Sequence, residues 1–130
     1  MNYYFNTVLS KVNFDEAIEK VTAELKKEGF GVLTEIDIQK TFKAKLDIDF
    51  KKYRILGACN PQFAHKAIEA EDKIGAFLPC NIIVQQDVEN AVEVSAVNPI
   101  AMMSSVDNKE LAGLAIEIEA KLKRVIKNLN

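Results

Sequence analysis

Two cysteines, Cys59 and Cys80, are the residues of this sequence with the clearest capacity for chemistry. Cys59 ends an apolar run and precedes Asn60-Pro61. That dipeptide suits a helix start: asparagine caps a free N–H, and proline fits the first helical position, where its missing N–H costs nothing. Sulfur beside a helix start meets N–H groups that carry partial positive charge, which favours the thiolate, the nucleophilic and metal-binding form. A phosphate or carboxylate would suit the same geometry. Cys80 follows Leu78-Pro79, so proline fixes the approach of the chain and excludes helix immediately before it. Each thiol also has a plainer reading as a small buried apolar residue.

Other groups could join them. His65, the single histidine, falls one turn into the helix after Cys59 and would complete a Cys–His–Cys set. Met102 and Met103 add thioethers, which with thiolate form a soft set for copper(I) or haem iron. An exposed helix histidine and core-filling methionines are the plainer readings of these three. Glu35, Asp37, Asp47 and Asp49 are carboxylates that nothing pairs into an acid–base site. No CxxC, Gly-rich phosphate loop, HExxH, GxSxG or EF-hand pattern occurs. The sequence names no cofactor.

The elements that must position these groups alternate along the chain. Residues 2–9 read as a strand from their aromatic and β-branched content. Asn13 and Glu16 open a helix as a capping box; Phe14, Ile18, Val21 and Leu25 form its apolar stripe, and Gly29 ends it. Val32–Ile36 is a second strand. Ile38, Phe42, Leu46 and Phe50 recur every four residues, which predicts a helix or two short helical turns over 37–51, with part of the segment open to an extended conformation. Tyr53–Ala58 is a third strand. The helix from Asn60 buries Phe63, Ala64, Ala67 and Ile68 and fades by Asp72. Residues 80–86 and 91–97 form a hairpin about the turn Asp87–Asn90, with Val92, Val94 and Ala96 on one face and Glu93 and Ser95 on a wet one. Asp107 and Glu110 cap a long final amphipathic helix.

The order β-α-β-(α)-β-α-β-β-α predicts an α+β two-layer sandwich, a mixed or antiparallel sheet with helices on one face, as a single domain over residues 1–130. If strands 53–58 and 80–86 run parallel, the thiols sit at opposite sheet ends, roughly 15–20 Å apart. If antiparallel, they share an end. A homodimer through the remaining apolar surfaces is one way to cover the sheet.

Composition excludes other classes. Seventeen basic residues are interspersed with nineteen acidic ones for a net charge of −2, which argues against nucleic-acid binding. The most apolar stretch, Ile74–Val84, is too short to span a membrane, and the N-terminus lacks a signal-peptide pattern. The expectation is a soluble cytoplasmic protein with no membrane partner, whose cysteines are thiols rather than a permanent bridge.

Gly29-Phe30-Gly31-Val32-Leu33, Tyr53 to Pro61 (YRILGACNP), Leu78-Pro79-Cys80-Asn81, and Asn98-Pro99 with Met102-Met103 together form an ordered motif set. The set resembles the domain of unknown function 302 family. The resemblance implies a small bacterial or archaeal protein of two-layer fold with no assigned activity. Its motifs fall on Cys59, Asn60, Pro61, Pro79 and Cys80, the candidate ligand-binding residues. Three functions are consistent with that site: a binding module holding a small ligand or soft metal, a thiol redox or sulfur-transfer enzyme using Cys59, and a structural dimeric interaction domain with inert cysteines.

Overall fold

Apolar side chains alternating with polar ones build five strands, and apolar stripes of helical period build the segments between them. The computed structural model describes residues 2–87 and 89–130; Met1, and Val88 in the expected hairpin turn, lie outside the described residues. The strands are β1 Tyr4–Leu9, β2 Gly31–Asp37, β3 Lys52–Cys59, β4 Cys80–Gln86 and β5 Val92–Val97. The helices are α1 Phe14–Lys27, α2 Ile38–Leu46, α3 Pro61–Ala70, α4 Pro99–Met102 and α5 Lys109–Asn128, with a 3-10 helix at Asp72–Phe77.

The strands join in one sheet of order β1-β5-β4-β3-β2. Every neighbouring pair is antiparallel. This resolves the direction that the sequence leaves open. β3 and β4 pair with Leu56 opposite Ile82 and Ala58 opposite Cys80, so the two thiols lie at the same end of adjacent strands. A bulge between Val32 and Thr34 interrupts the β2–β3 register.

α1 and α5 pack on the sheet, and α3 packs on α5 and on the 3-10 helix. Beneath them, Leu56, Ile82, Val84, Val92 and Val94 are fully buried against Val21, Leu25, Leu111, Ile118 and Leu122. Each such side chain contributes about 1.5–3 kcal/mol relative to leaving it in water. The fold is the expected α+β sandwich. α2 stands apart: it buries no residue, and Phe42 meets Phe50 edge-on at 5.0 Å, with Phe50 in turn 6.3 Å from Tyr53.

Helix starts follow local chemistry. Asn13 and Glu16 form the expected capping box, each side chain bonding the other's backbone N–H, at 2.9 and 3.2 Å. The 37–51 segment resolves into one helix that stops where Asp47 turns left-handed at φ 53°.

Three expectations are corrected. The cap of α5 is Asn108, not Asp107. Its Oδ1 accepts from the Leu111 N–H at 3.1 Å while its Nδ2 donates to the Ala70 carbonyl at 2.9 Å and to Glu71 at 3.1 Å. A carboxylate offers no such donor, so only the amide both caps α5 and ties down the end of α3. α3 ends at Ala70, as expected, and the chain then winds into the 3-10 helix, which buries Ile74. Ile68 is 43% exposed rather than part of the α3 core face. Ser95 is buried rather than wet, because Asn6 of β1 lies across it and accepts its hydroxyl at 2.6 Å.

Candidate functional site

Where β3 and β4 meet, the sheet ends in a cavity of about 290 Å³. Cys59 and Cys80 both line it. Around them stand Phe30, Leu33, Phe63, Ile68 and Leu78, from β2 and its approach, α3 and the segment before β4. Thr34, Asn60 and Pro79 complete much of the rest. Apart from the two thiols, no ionisable side chain reaches the wall.

Local chemistry fixes each part. Asn60 caps α3 by accepting from the Phe63 N–H at 3.2 Å, and Pro61 occupies the first helical position. The other end of the Asn60 amide donates to the Glu28 carbonyl at 3.4 Å, which holds the α3 start against the end of α1. Gly29 passes that carboxamide with φ 85°; a Cβ there would lie 3.2 Å from Asn60 Nδ2. The Leu78–Pro79 peptide is cis. Pro79 and Thr34 close over Gly57, where a side chain has no room: an added Cβ would lie 2.8 Å from Pro79 Cγ and in hard contact with Thr34 Oγ1.

The two thiols are not equivalent. Cys80 is 2% exposed, and its pKa is pushed up to about 11, chiefly by burial and further by the neighbouring Cys59 thiol. It is therefore an S–H group at neutral pH, which removes it as a nucleophile and weakens it as a metal ligand. Cys59, opposite Gly31 and half-buried, is the chemically accessible thiol.

The remaining candidates separate. Pro61 borders a different hollow, of about 510 Å³, between α1, α3 and α5, together with Lys27, Lys66 and Lys121. His65 points outward from α3 to Glu69 at 3.1 Å, with its side chain 77% exposed. Met103 is buried in the core and Met102 packs against it; neither lines the cavity of the cysteines. The Cys–His–Met soft-metal set is thus not assembled, and among the described residues no three His, Cys, Asp or Glu side chains gather in metal-binding proximity. Sequence reasoning missed Phe30, Thr34 and Leu78 as wall residues. Phe30, between Gly29 and Gly31, and Leu78, before Pro79, stand inside the motifs; Thr34 carried no signal.

No helix among the described residues is long and apolar enough to cross a membrane. Residues 5–129 match the family model described as domain of unknown function DUF302. No curated protein matches the chain. The crystal structure of an uncharacterized conserved protein DUF302 from Bacillus stearothermophilus is similar over 100% of both chains, with a TM-score of 0.91 and 27% sequence identity. The motifs, the fold and the family model agree: the chain belongs to the DUF302 family.

Proposed function

We propose that the protein binds a small neutral ligand in the cavity at the end of β3 and β4. One observation carries this reading: a cavity that holds both cysteines has an otherwise apolar, uncharged wall. An anion or a hard cation would lose its hydration there without a charged partner, whereas an apolar body would not. Its volume of about 290 Å³ sits at the small end of ligand pockets. Asn60 and Thr34 supply the few polar atoms that would orient the occupant.

The test uses indole as a neutral aromatic probe, followed by amide NMR. Shifts should centre on Gly31, Cys59 and Ile68, and Ile68→Trp, which fills the mouth, should abolish them. Absence of shifts there for indole and for a set of similar neutral fragments would refute the reading.

A second reading, thiol chemistry at Cys59, draws on its half-buried position at the α3 start. It requires a low-pKa thiol. Iodoacetamide alkylation of Cys59 with a pH midpoint at or above the free-cysteine value of about 8.5 rules it out.

A further inference from the structure

We propose that the face of the sheet opposite α1 and α5 is a self-association surface on which a second copy of this chain docks through a two-fold axis. α1 and α5 cover one face. On the other, Tyr4 and Val8 of β1 and Ile36 of β2 are 41%, 49% and 48% exposed. In a chain that is 28% charged, Glu93 is the only charged side chain the strands place on this face.

Three polar side chains of the face bond to one another. Ser95 donates to Asn6 Oδ1 at 2.6 Å, and Asn6 Nδ2 donates to Glu93 at 3.2 Å. Covering the Ser95–Asn6 bond removes little hydrogen bonding to water. At the rim, Lys51 and Asp87 border one shallow hollow, so both signs of charge are present for a symmetric partner to meet. A net charge of −2 opposes self-association only weakly.

Shape selects the occupant. A hollow of about 380 Å³ lies on this face, bordered by Tyr3, Tyr4, Tyr53, Ile83 and Gln85 among others, so all three tyrosines of the chain frame it. Tyr3 is 71% exposed and meets Tyr4 edge-on at 4.9 Å, forming a projecting aromatic pair at one corner. A projection and a hollow side by side on one face meet the requirement of an isologous contact, in which each copy's projection enters the other's hollow. Five strands of about six residues give a footprint of about 24 by 20 Å, hence about 1,000 Å² buried over both copies. That is the lower limit for a specific interface and predicts a reversible dimer of micromolar or weaker affinity.

Sedimentation velocity between about 5 and about 500 µM tests this. The wild type should shift from monomer toward dimer across that range. Ile83→Lys at the centre of the face should weaken dimerisation by about tenfold or more, since it places two like charges near the axis, and Val8→Lys at its edge should weaken it as well, since it puts a charge into the apolar contact. Ile116→Lys, equally apolar and 60% exposed on α5, should leave it unchanged. Far-UV circular dichroism checks that each variant is folded; Val8→Lys decides the matter if Ile83→Lys is not. A wild type that stays monomeric at the highest concentration overturns the proposal. So does a dimer indifferent to folded face variants, or one that Ile116→Lys weakens equally.

Discussion

Glu28 is bonded by Asn60 through its carbonyl, at 3.4 Å, and by Arg124 through its carboxylate, at 2.9 Å. One residue at the end of α1 therefore joins the start of α3 and the outer side of α5. The same Asn60 amide caps α3 beside the cavity, so the position of Cys59 depends on this joint.

The joint predicts a graded response at Asn60. Asn60→Asp keeps the cap but turns an acceptor toward the Glu28 carbonyl, losing about 1 kcal/mol. Asn60→Ala loses the cap as well and costs about 2 kcal/mol. Urea melts should rank wild type above Asp above Ala; an Asp variant as stable as wild type would show that the bond to Glu28 contributes nothing.

The Arg124 guanidinium, through its hydrogen bonds first, holds the Glu28 carboxyl below its ordinary value of 4.5. A carboxyl lowered in the folded state stabilises above its unfolded pKa, and that stability is lost as pH falls through the lower folded value. Arg124→Gln should therefore destabilise at about pH 7 and make little difference at about pH 2. Equal destabilisation at both pH values would place the effect in packing instead.

Cys80 gives the opposite sign at high pH. Its thiol holds its proton to about 11 when folded but releases it near 9.0 when unfolded. The contribution is complete below 9 and declines as pH rises through 11, a loss of about 2–3 kcal/mol. Cys80→Ala should be less stable at neutral pH, from its lost contacts, yet show a shallower decline between about pH 8.5 and 11. Parallel declines in the two proteins would contradict the raised thiol pKa.

Gly57→Ala should cost about 1–3 kcal/mol by overpacking against Thr34 and Pro79. Adding Thr34→Ala should recover only part of the loss, because Pro79 cannot rotate away. Full recovery would show that Pro79 yields, and wild-type stability of the single variant would show that the whole contact does.

Local signals in the sequence carry most of the element list. Asn13 with Glu16, and Asn60 with Pro61, announce helix starts because capping is decided within four residues. The period-two runs at 80–86 and 91–97 announce strands for the same reason. Strand direction was not legible, since it depends on which strands lie side by side, and Cys59 and Cys80 became neighbours only when β3 and β4 proved antiparallel. The choice between Asp107 and Asn108 turned on contacts to Ala70 and Glu71, more than thirty-five residues away. The candidate thiols were legible as residue types. Their difference was not, because burial of Cys80 comes from the whole core.

The strand order also sets a sequence of events. β2, β3 and β4 each pair with the next strand made, but β1 pairs only with β5, joining Tyr4 to Val97. As the chain leaves the ribosome, the first strand synthesised waits for the last, its backbone hydrogen-bonding groups and Phe5 and Leu9 without their final partners. Closing so long a loop is the slow kind of contact, so docking of the N-terminal strand completes the sheet rather than nucleating it.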